Sequence, residues 1–287
     1  MHLSGVEGGM RAMETVQCYL LDTGYCLTWE HHVIQGGARR RIACHALVAL
    51  LQHPRYGWLL WDAGYAPRLL TATQRLPYAL YRLATPLHLD PKLTVVSQLG
   101  RWQLTPADIG YVLVSHFHAD HIAGLRDFPT ATFVATQKAY ADIAPRRGFN
   151  ALQRGFIPAL LPEDFSRRLR QLPRFTGAAL PGLGATYDLF NDGSLLLVEL
   201  PGHARGQMGM LAQTQRGPLL FAADGCWLLR AIHENRPPSR VTHFFIDDVA
   251  AMRATIAHLH TFAQACSDVT IIPSHCPEVF AREVMQQ

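Results

Sequence analysis

The stretch SHFHADHIAG, residues 115–124, places three histidines and one aspartate within six positions, at His116, His118, Asp120 and His121. Charged together, these groups would repel one another. Left neutral and buried, their polar atoms would lack partners. A divalent cation compensates both conditions. His116 and His118 alternate along an extended or tightly looped backbone and point to one side as a pair, whereas Asp120 and His121 follow a turn and point toward a second position. Three further residues of metal-binding type close apolar runs far along the chain: His203 in ELPGH, Asp224 in FAADG and His275 in IPSH. Such runs read as strands, and strand ends meet at one edge of a sheet. His203 then gives a first cation its third imidazole, and His275 joins Asp120 and His121 around a second. Asp224, with two carboxylate oxygens, suits a bridge between them. This nitrogen and oxygen set fits two divalent ions, Zn²⁺ first, with Mn²⁺, Fe or Co²⁺ also compatible. Two cations about 3.5–4 Å apart share a hydroxide and clamp both attacking and leaving oxygens. The chemistry expected is hydrolysis of a lactone, ester, thioester or amide carbonyl. Asp120 would orient the nucleophile and carry the proton to the leaving oxygen, and Asp224 would bridge the cations.

The elements that must position these residues are legible as short β-branched or Leu-rich runs. VQCYLLDTG (16–24), CHALVALLQ (44–52) and GWLLWDAG (57–64) read as antiparallel strands joined by turns. GYVLVSH (110–116) is a buried strand running into the histidine cluster, and further strands are expected at 132–137, 193–203, 209–214, 217–225 and 269–275. Between them, residues 67–84 form an amphipathic pattern with a proline break, and TPADI (105–109) carries a Thr cap followed by Pro. DDVAAMRATIAHLHTFAQA (247–265) has helical spacing and an acidic start, and PEVFAREVMQQ reads as a closing helix. The order predicts an α/β protein, a four-layer αββα sandwich of two mixed, largely antiparallel sheets with helices outside. A single domain is expected over 14–287, with a loose tail at 1–13 and insertions near 65–104 and 139–183 that would wall a substrate.

Composition narrows the partners. The 287 residues are 49% hydrophobic and only 17% charged, which suits a compact core. The net charge of +4 is spread out, with Arg39–Arg40–Arg41 the densest group, so no nucleic-acid surface is expected. No stretch approaches the ~18 apolar residues of a membrane span, and the N-terminal apolar run is short for a signal-peptide core. The six cysteines form no CxxC pair and read as free thiols of a reducing, cytoplasmic setting. Cys226 and Cys276 adjoin Asp224 and His275 but suit packing. His31 and His32 suit either a pocket lining or an exposed hairpin equally, and His258 with His260, two apart on different faces of a helix, offer no joint site.

The order HxHxDH, a PGH histidine, an aspartate after an apolar strand and a late SH histidine resembles the metallo-β-lactamase superfamily. All seven ligand positions of its dinuclear form are matched, from His116 to His275. The resemblance implies that fold, and it implies that Asp62 in WDAG orients a ligand histidine, with Ser115 beside it. Within the superfamily the chain is similar to the N-acyl homoserine lactone lactonases, which implies an acylated small-molecule lactone or ester as substrate. Their tyrosine three positions after the bridging aspartate is Trp227 here, whose N–H donates but exchanges no proton. Trp227 itself is a candidate to contact substrate, with Tyr25 and Tyr65 as tyrosines that could stand in for the missing one. A phosphodiesterase using the same cations, and a cation-bearing ligand sensor without turnover, are the alternative readings. The apolar insertions also admit a homodimer.

Overall fold

The computed structural model describes residues 14–285, so the expected tail at 1–13 lies outside the described residues. Among the described residues, thirteen strands form two sheets. The first is built from β1 (Gln17–Trp29), β2 (Arg41–His53), β3 (Gly57–Trp61), β4 (Leu87–His88), β5 (Ile109–Leu113), β6 (Thr132–Thr136) and β7 (Leu169–Leu172), in the order β4-β1-β2-β3-β5-β6-β7. The second contains β8 (Ala179–Leu180), β9 (Gly184–Asp188), β10 (Leu195–Glu199), β11 (Met208–Thr214), β12 (Gly217–Ala223) and β13 (Thr270–Pro273), in the order β13-β12-β11-β10-β9-β8.

β2 shows why the sheets stack. Leu47, Ala49 and Leu51 point into the core shared with the second sheet, while Ala46, Val48 and Leu50 point into the core beneath the outer helices. Successive side chains face opposite ways along a strand, so a strand buried on both faces reads as an unbroken apolar run. On the outer face of the first sheet, Leu69, Val95, Leu99 and Ile122 from short helices cover that second core. The helix Val249–Ala265 covers the other sheet through Met252, Ile256, Leu259 and Phe262. The four-layer sandwich of mixed sheets is the observed architecture.

Antiparallel pairing dominates, as β1 with β2 and β2 with β3 show. The parallel pairs matter more for function. β3 and β5 run side by side, so Asp62 after β3 and His116 after β5 emerge at one edge. β12 and β13 are also parallel, which delivers Asp224 and His275 together. The Met208 N–H at the start of β11 donates to the Ser115 carbonyl at 3.1 Å, tying the two sheets together beside the histidine cluster. Residues 67–84 form two short helices, Arg68–Ala72 and Ala79–Ala84, because the proline at 77 interrupts the run. The Thr105 cap closes on a single 3-10 turn, its N–H donating to Asp108 at 2.7 Å.

A buried polar lock joins the far ends of the sheets. His53, 1% exposed, lies 3.1 Å through Nε2 from both Asp192 Oδ2 and Ser194 Oγ. Its Nδ1 accepts from the backbone N–H of Arg55 at 3.1 Å, so the ring is a neutral donor at Nε2. Burial holds the His53 pKa below the ordinary value of 6.5, outweighing the Asp192 charge. In the window below about pH 6.5 the unfolded chain therefore takes up a proton that the folded chain resists, and stability falls with pH. The melting temperature is expected to fall between about pH 7.5 and 5.5, and the fall to be shallower in His53→Gln. Parallel curves for the two proteins would show that this lock carries no proton linkage.

Candidate metal centre

The seven residues converge at the edge where β3, β5, β12 and β13 end. Three groups of potential ligand atoms lie within 4.8 Å of one another: His116, His118 and His203; His116, His121 and Asp224; and Asp120, His121 and His275. In the first set, His118 Nδ1 stands 2.9 Å from His203 Nε2, and His203 Nε2 stands 3.1 Å from Asp224 Oδ2. In the other set, His275 Nε2 lies 3.1 Å from Asp224 Oδ1 and 3.4 Å from Asp120 Oδ2. His121 Nε2 lies 3.3 Å from Asp224 Oδ1. Asp224 thus turns one oxygen toward each set.

Each inner nitrogen is aimed by what holds the far side of its ring. The His121 Nδ1–H donates to Asp62 Oδ2 at 2.7 Å, and the His275 Nδ1–H donates to the His45 carbonyl on β2. Ser115 Oγ sits 3.0 Å from His116 Nδ1. Asp62 also accepts the Ser115 N–H and the Ser115 hydroxyl, both at 2.8 Å. It does so from a left-handed backbone at φ 61°, a region that aspartate tolerates better than most residues. Gly155, at φ +59°, presses on the ligand loop from outside. A side chain there would meet His118 Cδ2 at 2.7 Å, and its carbonyl accepts the Ala119 N–H.

The donor set fits divalent cations. His116 Nε2, His121 Nε2 and Asp224 Oδ1 are buried without a hydrogen-bond partner, although all point into the cluster. Buried polar atoms in a folded protein are nearly always paired, and a divalent cation would supply the partner these atoms lack. Burial holds His116 and His203 well below the ordinary imidazole pKa and brings His118 to about 4, so their lone pairs are free near neutrality. Burial pulls His121 and His275 the same way, but the surrounding carboxylates win. Asp62, Asp120 and Asp224 raise His121 well above its usual value, and chiefly Asp224 lifts His275 to about 9. Asp224 itself is held low by its histidines against the effect of its burial. Protons on His121 and His275 thus balance the same carboxylates that a cation would balance.

Sequence reasoning placed the ligand residues and Asp62 in one cluster, and the structure brings all of them together. The candidate substrate contacts fare differently. Trp227 is 8% exposed, and its indole N–H donates to Asp224 Oδ2 at 2.8 Å, so that donor is committed to the cluster. Tyr65 is 1% exposed, inside the core of the outer helices, and has no open surface to offer a substrate. Tyr25 is half-buried and stacks on His88. A further phenol, Tyr81, lies in the neighbourhood of Asp120. Burial, and then the Asp120 charge, push its pKa well above the ordinary value. It lies in the expected 65–104 insertion, whose helical periodicity marks a face but not what that face meets. Cys226 and Cys276 are buried packing residues, and the Cys276 sulfur accepts the Leu229 N–H at 3.4 Å. His31 packs edge-on against His32, and His260 is bonded to the Ile232 carbonyl, so neither pair joins the cluster.

A two-sheet αββα sandwich carrying this histidine and aspartate cluster at one edge defines the class, a metal-dependent hydrolase. The Metallo-beta-lactamase superfamily model matches residues 41–225, and the chain belongs to that superfamily. Among its relatives, the N-acyl homoserine lactonase AttM of Agrobacterium fabrum is 26% identical over 271 residues, covering 94% of this chain and 96% of that protein. AttM of Azorhizobium caulinodans is likewise 26% identical, over 93% and 96% of the two chains. The crystal structure of a B. thuringiensis AiiA variant with N-decanoyl-L-homoserine bound at its active site has a TM-score of 0.70 at 17% identity. It covers 93% of this chain and 96% of that one. Among the described residues no helix is long and apolar enough to cross a membrane.

Proposed function

We propose that the protein is a dinuclear lactonase that opens the ring of an N-acyl homoserine lactone or a similar acylated lactone or ester. The observation carrying this reading is the division of seven ligand residues into two abutting sets that share Asp224 and leave buried donor atoms unpaired. The similarity to lactonases over nearly the full length of both chains supports the choice of substrate. His116, His118 and His203 would hold one cation, Asp120, His121 and His275 the other, and Asp224 would serve both. Cations bound there supply Lewis acidity toward a carbonyl and bring the pKa of water toward neutrality.

The chain's own residues supply the rest. Asp120 and His118 are the two members of the set that keep partial exposure, so substrate meets the cluster on their side. The Asp120 carboxylate can take a proton from the nucleophile and return it to the departing alcohol oxygen. His118 and His203 floor a narrow cleft of about 40 Å³ that opens to solvent, with walls that include Phe117, Ala139, Ile143, Phe244 and Phe245. Phe244 is 70% exposed, an apolar surface open at the cleft mouth that suits an acyl chain. Arg154 closes one side through ion pairs with Asp247 and Asp142. The 139–183 segment thus contributes Ala139, Ile143 and Arg154 as a wall, and the 65–104 segment brings Tyr81 to Asp120.

Mixing cation-loaded protein with N-decanoyl-homoserine lactone is expected to release acid rapidly, and Asp120→Asn to slow that release by about 10²–10⁴-fold. Absence of acid release from protein carrying two cations per chain would overturn the lactonase reading. Turnover of a phosphodiester by the same protein would transfer the site to phosphoryl chemistry. Tight lactone binding without turnover would assign it to sensing.

A further inference from the structure

Asp224 must divide its two oxygens between the two sets, yet a carboxylate rotates softly about its Cβ–Cγ bond. Oδ2 lies 3.1 Å from His203 Nε2, while Oδ1 lies 3.1 Å from His275 Nε2 and 3.3 Å from His121 Nε2. Left free, the carboxylate could swing both oxygens onto one cation and withdraw a ligand from the other. One neutral donor opposes that rotation, the Trp227 indole N–H, 2.8 Å from Oδ2.

The indole is itself fixed. It is 8% exposed and packs perpendicular to the His203 ring, with centroids 5.5 Å apart at 86°. Two residues on, the Leu229 N–H is anchored on the Cys276 sulfur, next to His275. The turn carrying Trp227 is therefore pinned at Asp224 and again beside the last ligand. Indole N–H only donates, so Trp227 neither moves a proton nor competes as a ligand.

We propose that Trp227 is a positioning residue that locks Asp224 in its divided orientation and thereby lets the His116, His118 and His203 set hold a cation while the other set is filled. The lock acts on the oxygen facing His203, so removing it weakens the first set and spares the second. The inference rests on the reading of this cluster as a two-cation centre.

The test is calorimetric titration of cation-stripped, full-length protein with Zn²⁺, comparing the wild type with two replacements at position 227. Trp227→Phe deletes the donor together with part of the ring. Replacement of Trp227 by benzothienylalanine keeps the bicyclic shape and removes only the N–H. Both are expected to retain one binding event and weaken the other by about 10–100-fold, the usual effect of losing a group that orients a ligand. 5-Fluorotryptophan at the same position, which keeps the N–H, is expected to restore both events. Two events of wild-type affinity in the benzothienylalanine protein would overturn the proposal and leave the two-cation centre standing. Equal weakening of both events would overturn it too, since the lock would then not be specific to one set. A wild-type protein binding no Zn²⁺ would overturn the centre itself and this inference with it.

Discussion

Chelation of divalent cations is expected to abolish hydrolysis and to lower the melting temperature by roughly 8–16 °C, with both effects reversed by restoring Zn²⁺. The thermal effect follows from the unpaired atoms. A ligand that binds the folded chain alone stabilises it by about 4 kcal/mol when present at ~1,000 times its dissociation constant. In a chain of this size each kcal/mol moves the melting temperature by about 2–4 °C. The unfolded chain gathers no comparable set, because its ligands lie as far apart as His116 and His275. Stripping the cations leaves His116 Nε2 buried without a partner and leaves Asp224 only the protons of His121 and His275 to balance it. Acid works in the same direction as chelation, since His121 and His275 must lose protons before a cation can bind. Differential scanning calorimetry with and without chelator, beside an activity assay, decides the matter. Full activity and an unchanged melting temperature in excess chelator would show that no cation works in this cluster.

The ligand residues were legible because each of the distant ones sits just beyond an apolar run, and strand ends were the elements the sequence marked best. What assembles them was less visible. The pairings that bring Asp62 to His116 and Asp224 to His275 are parallel, and nothing in GWLLWDAG or VTIIPSH distinguishes a parallel neighbour from an antiparallel one. Short strands escaped for a different reason. β4 and β8 have two residues each, and β9 follows a Gly/Pro-broken stretch, so no alternation accumulates. The pattern at Asp62 implied a carboxylate behind a histidine, but not the left-handed backbone that aims it. Tyr81 and the Trp227 clamp depend on which side chain a helix or turn meets in space, and one-dimensional spacing does not encode that. Trp227 drew attention as a surface for substrate, whereas its donor faces inward to Asp224.

Asp62 is where a single substitution should do most damage without touching a ligand. Asp62→Ala is expected to cost about 3–5 kcal/mol of stability, the usual loss when one partner of a buried charged pair is removed. It is also expected to weaken cation binding at the Asp120, His121 and His275 set by about 10–100-fold. The side chain is fully buried and accepts three hydrogen bonds, from the Ser115 N–H, the Ser115 hydroxyl and His121 Nδ1. Alanine leaves all three donors without an acceptor, each costing about 1–3 kcal/mol unless the loop relaxes. It must also occupy φ 61°, where a Cβ without a polar side chain is disfavoured. The backbone adds leverage, because the Asp62 N–H holds the Leu113 carbonyl and the neighbouring Ala63 N–H holds the His121 carbonyl, both at 2.8 Å. Slack at residue 62 therefore reaches the end of β5 and the ligand turn together. Asp62→Asn separates shape from charge. Asparagine tolerates the left-handed backbone and keeps one acceptor oxygen, but its amide nitrogen would confront a donor from Ser115 or His121. Denaturant unfolding should therefore rank the proteins wild type, Asn, Ala. Saturating Zn²⁺ should recover more activity in the Asn variant than in Ala, because Asn preserves the turn and lacks mainly the grip on His121. Wild-type cation affinity in both variants would show that His121 is aimed by the turn alone, and that the Asp62 carboxylate contributes only to folding.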